Sequence, residues 1–135
     1  MIKVYVKKQS KYPVGASRLK SGLKSFLKSK GIVSDSVVNV SLVGEKTMRS
    51  ISRKFLKDKI LHNVLSFTES ELKSLPSVGR VKFAYPPDGF NRLGEIVVCY
   101  PKTVKEASAE GILVEEKVFQ LVKHGAKHLL GIHHK

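Results

Sequence analysis

Of the chain's five histidines, three lie within its last eight residues, and a fourth precedes them closely. The closing segment runs His124-Gly125-Ala126-Lys127-His128-Leu129-Leu130-Gly131-Ile132-His133-His134-Lys135. On a helix, residues four apart project from one face about 6 Å from each other, so His124 and His128 can present two imidazoles to one small ion. Gly131 permits the left-handed turn that ends a helix, after which the chain can fold back and bring in His134 or His133. Three protein nitrogens plus an open position is the arrangement of a catalytic zinc, whereas structural zinc is usually closed by four ligands. Two blander readings compete: a histidine pair in the core of an amphipathic helix, and a histidine cluster that picks up metal adventitiously. The spacing H-x3-H-x5-H with Gly131 between favours the metal site. Nickel, copper and iron also suit imidazole nitrogen.

A missing residue narrows the chemistry. Metallopeptidases of the H-E-x-x-H type carry a glutamate base directly after the first histidine, and that place here is Gly125. A metal-bound water can still be activated without that base, because the ion itself lowers the water's pKa toward neutrality. For a phosphodiester, the remaining need is positive charge against the phosphoryl oxygens. The chain supplies it: 25 Lys+Arg against 11 Asp+Glu leave a net charge of +14 over 135 residues, and +12 of this falls in residues 1–60. Such a field concentrates polyanions, with RNA, DNA or the ribosome ahead of an anionic membrane; the bland alternative is that Lys-rich helix faces keep a small protein soluble. If the stripe Lys20-Lys24-Lys28 and the Arg49–Lys57 cluster lay far from His124 and His128 in the fold, the charge would serve docking instead of substrate handling.

The elements that must position these groups follow from periodicity. Ile2–Val6 alternates as a strand, and Leu19, Leu23, Phe26 and Leu27 recur at helical spacing between an expected Ser17 N-cap and a Gly31 stop. Val38, Val40 and Leu42 mark a second strand, Met48, Ile51 and Phe55 a helix after Gly44, and Asn63–Phe67 a third strand. Thr68–Arg92 reads as mostly irregular, with Val81–Tyr85 extended and the whole a candidate functional flap. Glu95–Tyr100 is a strand, Pro101 opens a helix ending near Gly111, and Val114–Leu130 is the last helix. The order predicts one α/β (α+β) domain over residues 1–135, a sheet flanked by helices. At 41% hydrophobic the chain can bury a core. Cys99 alone excludes an internal disulfide framework. With no span of about 18 apolar residues and no leader pattern, the expected location is cytoplasmic.

Three motifs in order resemble the YbeY family of metal-dependent, single-strand-specific endoribonucleases. The ending is similar to H-G-x-L-H-L-x-G-Y-D-H through His124, Gly125, His128, Leu129, Gly131 and His134. Lys57-Asp58 with Asn63-Val64-Leu65-Ser66-Phe67 resembles K-D…T-D/N-V-L-S-F, and Leu93-Gly94-Glu95-Ile96-Val97-Val98-Cys99 resembles L-G-D-I-x-I-S/C. The resemblance implies a small mostly parallel or mixed sheet flanked by helices, a zincin-like metal helix at the C-terminus, and one zinc ion per chain held by His124, His128 and His134. It further implies maturation of the 3′ end of 16S ribosomal RNA and ribosome quality control, with the small subunit as partner and neither membrane nor DNA.

The sequence also departs from the pattern. His133 stands for the family's Asp, Lys127 for Leu and His62 for Thr, and the sequence ends one residue after His134. The family's Arg in Y-R-x-K-D falls on Leu56, which leaves Arg53 and Lys57 as candidate phosphate contacts. The departures keep a second reading in view, an RNA- or ribosome-binding assembly factor with a structural or degenerate metal site. A hydrolase acting on another substrate is disfavoured by Gly125 and by the cationic surface. Glu95 is expected either to orient a ligand histidine or to cap a strand.

Overall fold

The computed structural model describes residues 1–74 and 89–131. Four strands, β1 (Ile2–Lys8), β2 (Ser36–Val43), β3 (Val64–Thr68) and β4 (Asn91–Cys99), form one sheet in the order β1-β2-β4-β3. β1, β2 and β4 are parallel and β3 runs antiparallel on β4, so the sheet is mixed, as expected. The helices are α1 (Ala16–Ser29), α2 (Glu45–Ile51), α3 (Glu69–Ser74), α4 (Tyr100–Glu110) and α5 (Val114–Leu129).

Strand alternation sorts the core into two layers. Ile2, Val4, Val38, Val40, Leu42, Ile96 and Val98 face α1 and α5. Val43, Phe67, Val97 and Cys99 face Met48 and Ile51 of α2 on the other side. β2 is covered on both faces, which is why its apolar run is nearly continuous. Cys99 is a buried free thiol whose pKa burial raises, as suits a packing residue.

Three local expectations change. α1 starts at Ala16 with Gly15 as its N-cap, not Ser17, because its start abuts α5 and Glu115 Oε1 accepts from the Gly15 N–H at 3.0 Å. Beyond α2 the chain makes a π-helical turn, Ser52–Leu56, ended by Lys57 in the left-handed region at φ 54°. Thr68–Arg92 is not uniformly irregular: Glu69–Ser74 is helical and β4 already begins at Asn91. The extended stretch expected at Val81–Tyr85 lies outside the described residues. The helix stops at Gly31, Gly111 and Gly131 all carry positive φ, at 89°, 72° and 75°. Among the described residues no helix is long and apolar enough to cross a membrane.

Candidate metal centre

α5 packs on β3 and β4 through Val118, Leu121, Val122, Gly125 and Ala126. Gly125 sits where helix and sheet come closest: a Cβ there would lie 2.9 Å from Ile96 Cγ2 and 3.4 Å from Ser66 Cβ. The position where a metallopeptidase carries its glutamate therefore points into the sheet and has no room for a side chain. His124 is exposed and His128 half-exposed, both on the flank of α5 turned away from α1.

His128 Nε2 lies 3.0 Å from Glu71 Oε1, reached from α3. Thr68 and Glu71 form the capping box of that helix: the Thr68 N–H donates to Glu71 Oε1 at 2.8 Å and the Glu71 N–H to Thr68 Oγ1 at 3.2 Å. The Thr68 amide holds the Glu71 carboxyl below its usual range, outweighing burial, and His128 adds to this. Sequence reading missed Glu71 by placing it in an irregular stretch. The spacing Thr68-x-x-Glu71 before Leu72 was the available signal.

α3 is tied a second time on the far side of the sheet. β4 carries one extra residue at Leu93, since Val37 pairs with Arg92 and Val38 with Gly94. This bulge brings Arg92 and Glu95, three apart, onto one face. Arg92 donates to Glu95 Oε1 at 2.6 Å, and its Nε stands 3.3 Å from Glu69 Oε2. Glu95 is wholly buried, with Oε2 lacking a hydrogen-bond partner among the described residues. Burial pushes its pKa up to about 7 against the pull of Arg92 and Asn39, while Glu69 raises it further. Glu95 thus neither orients a ligand histidine nor caps a strand; it lies on the face of the sheet opposite α5.

Arg53 and Lys57 are exposed on the π-helical turn, whose Phe55 meets Phe67 edge-on at 5.4 Å between centroids. They flank the same edge strand as α5 does, on the other face: Leu65 and Phe67 point toward the turn, Val64 and Ser66 toward α5. Of Ser66, Phe67 and Glu95, only Ser66 faces the histidine helix. Nearby, Asp58 pairs with His62 at 3.0 Å.

The basic stripe is elsewhere. Gly22 faces Phe119 of α5, with a Cβ there meeting Phe119 Cζ at 2.9 Å. Lys20, Lys24 and Lys28 occupy the opposite flank of α1, which packs over β1, at the far end of the sheet from β3.

At the β3 edge two imidazoles share one flank of α5 and a carboxylate touches one of them, donor types that a borderline divalent cation accepts. Among the described residues no three His, Cys, Asp or Glu side chains are yet grouped to hold a metal ion. His133 and His134 lie outside the described residues.

A mixed sheet whose antiparallel edge strand lies under a histidine-bearing C-terminal helix defines an α/β protein that presents imidazoles at a sheet edge. The family model described as Endoribonuclease YbeY matches residues 5–135, and the chain belongs to that family. Endoribonuclease YbeY of Dehalococcoides mccartyi is 30% identical over 133 residues, covering 98% of this chain and 83% of its own. Endoribonuclease YbeY of Thermus thermophilus is 31% identical over 120 residues, covering 87% and 76%. The solution structure of TM1509 from Thermotoga maritima superposes with a TM-score of 0.55 at 24% identity, covering 98% of this chain and 75% of that one, and so shares the fold.

Proposed function

We propose that the chain, as one domain over residues 1–135, is a zinc-dependent endoribonuclease that cuts single-stranded ribosomal RNA in the cytoplasm. The observation that supports this best is the pair His124 and His128 on one outward flank of α5, at a height over the sheet set by Gly125. His124, His128 and His134 are the residues that would hold the ion, and zinc, when bound, polarises a water or a phosphoryl oxygen. This chain's own part is to fix the two imidazoles, to leave the place after His124 without a base, and to supply cations around the edge strand. Arg53 and Lys57, exposed beside the edge strand, would contact the phosphates of a strand that wraps this edge, a reading that favours a flexible single strand over a rigid duplex. The substrate assigned is the 3′ end of small-subunit ribosomal RNA, and the role extends to ribosome quality control. Family membership and the displaced Lys20-Lys24-Lys28 stripe support a small-subunit partner.

RNA cleavage by purified protein, with and without chelator and with His124→Ala, tests the reading. Cleavage should disappear in both arms; equal activity in all three would sink it. His133→Ala beside His134→Ala identifies the third nitrogen, and His134→Ala is expected to lose the metal. The second reading, an assembly factor with a degenerate centre, is favoured by one observation, the distance of the Lys20-Lys24-Lys28 stripe from the histidines. It predicts salt-sensitive RNA binding that survives chelation without cleavage.

A further inference from the structure

The first 34 residues carry nine lysine and arginine side chains and no aspartate or glutamate. They form β1, α1 and the loops that follow them, so this charge is gathered at one end of the sheet. Two regular elements sort it into rows. On β1, Ile2, Val4 and Val6 face the core under α1, so Lys3, Tyr5 and Lys7 project from the other face. On α1, Lys20, Lys24 and Lys28 share the flank turned away from Phe119, on the side of the β1 edge. Lys3 to Lys7 spans about 13 Å of strand and Lys20 to Lys28 about 12 Å of helix, so the rows match in length. β1 is an edge strand, and its outer edge runs between them.

We infer that the two rows form a docking surface for the backbone of an RNA double helix, one row to each strand, at the end of the sheet away from the histidines. This inference rests on the RNA-directed reading above and not on its metal ion. Charge complementarity supports it, and two blander explanations fall short. Like charges four apart on a helix repel, and a solubilising face intersperses acids, so the α1 row carries a cost that solubility does not require. Lysine on an edge strand blunts pairing with other chains, which accounts for Lys3 and Lys7 but not for a row on the helix beside them. The acids nearest in the fold are already engaged, Asp35 by the Met1 amine at 2.7 Å and Glu115 by Arg18 at 3.7 Å. The duplex is favoured over a single strand by the scarcity of rings. Single strands are held on aromatic platforms where bases stack, whereas a duplex is recognised by its shape through phosphate and 2′-hydroxyl contacts. β1 and α1 hold two rings; Phe26 packs against the core, and Tyr5 is 38% exposed. Neighbouring Phe90 lies under the Lys3 ammonium, 5.0 Å from its centroid.

The test is fluorescence anisotropy with chelator present throughout, using a blunt RNA duplex of about 16 base pairs, the length a double-stranded-RNA module spans, and polyuridine of equal length. Wild type should bind the duplex more tightly than polyuridine. The triple variant Lys20→Gln, Lys24→Gln, Lys28→Gln should lose at least about tenfold in duplex affinity, with a salt slope shallower by up to about 2 to 3. Lys3→Gln with Lys7→Gln should shift the same slope by up to about 2, and the triple Lys→Arg variant, which keeps the charge, should bind as wild type does. The control is Lys59→Gln with Lys105→Gln, exposed lysines outside both rows, which should weaken binding less than either row does. A control that loses as much as the rows overturns the proposal, because the charge would then act only in bulk. Polyuridine bound as tightly as the duplex, and lost equally in the row variants, makes the occupant a single strand. Duplex affinity unchanged in both row variants, with binding of polyglutamate lost, makes it an acidic protein. Cleavage of a short single strand, assayed with metal in parallel, reports on the nuclease reading separately: its absence beside intact duplex binding sinks that reading and leaves this one.

Discussion

Gly125 and Ile96 touch where α5 comes closest to the sheet, and that contact sets the height of the histidine helix above the edge strand. Ile96 is fully buried and β-branched, so its χ1 is stiff and it has nowhere to turn. Gly125→Ala gains about 1 kcal/mol of helix propensity but forces an overpacked contact costing about 1–3 kcal/mol. The net expectation is a destabilisation of about 1 kcal/mol. Gly22→Ala is the control, since its neighbour there is the tip of the half-buried Phe119 ring, which can swing aside. Gly22→Ala should be neutral or stabilising. Urea midpoints of the two variants decide the matter, and a raised midpoint for Gly125→Ala rules out the close approach.

Gly94 stands under a harsher constraint. Its φ is 151°, and a Cβ would overlap the Phe67 carbonyl oxygen of the paired strand and lie 2.6 Å from Leu129 Cδ2. Strain at such a backbone position costs about 1–3 kcal/mol, and the clash with a main-chain atom adds to it. Gly94→Ala is expected to lose about 3 kcal/mol or more, read as a large fall in melting temperature. A variant that melts within a degree or two of wild type would show that the β3–β4 spacing is looser than this.

How much of this was legible follows from the kind of signal each residue leaves. Gly125 and Gly94 stood in recognisable motifs, yet the reason for each is a partner far away in sequence, Ile96 and Phe67, so spacing gave identity without cause. The i, i+4 pair His124–His128 was readable because a helix face depends on local periodicity alone. The strands were readable too, from alternation, whereas the Leu93 bulge that joins Arg92 to Glu95 appears only when β4 is laid on β2. Glu71 was lost for a different reason: six residues of α3 carry too little periodicity to stand out from a Pro- and Gly-rich stretch.

Glu95 gives the fold a pH dependence of definite sign. Its folded pKa, about 7, lies above the ordinary glutamate value of 4.5, so the folded state holds the proton more tightly than the unfolded one. The associated stability is fully present below about pH 4.5 and is lost as pH rises through about 7, with an upper bound of about 3 kcal/mol. The charges that face Glu95 are Arg92 and, beyond it, Glu69. Glu95→Gln keeps an acceptor for Arg92 and removes the titration, so its stability should fall less than that of wild type between pH 5 and pH 8. Parallel pH profiles for the two proteins would contradict the assignment.

The α1 lysines and the histidines lie at opposite ends of the sheet. Lys20, Lys24 and Lys28 lie on the flank of α1 opposite Gly22, and α1 covers the β1 end of the sheet while His124 and His128 sit at the β3 end. α1 contains no acidic residue, so its field is uncompensated along its own length. A di- or trinucleotide bound at the β3 edge is too short to cross three strand spacings of about 4.8 Å and round to the outer flank of α1, whereas a structured ribosomal RNA can. The triple variant Lys20→Gln, Lys24→Gln, Lys28→Gln should therefore cleave a short oligonucleotide at a rate within about twofold of wild type. Its binding to long ribosomal RNA should weaken. The slope of log affinity against log salt should become shallower by up to about 2 to 3, since each phosphate left without its lysine removes about 0.7–0.9. Arg53→Gln with Lys57→Gln should show the converse, slowing cleavage of the short substrate. If the α1 variant instead slows the short substrate at unchanged fold, the stripe belongs to the substrate path and the two ends of the sheet act as one surface.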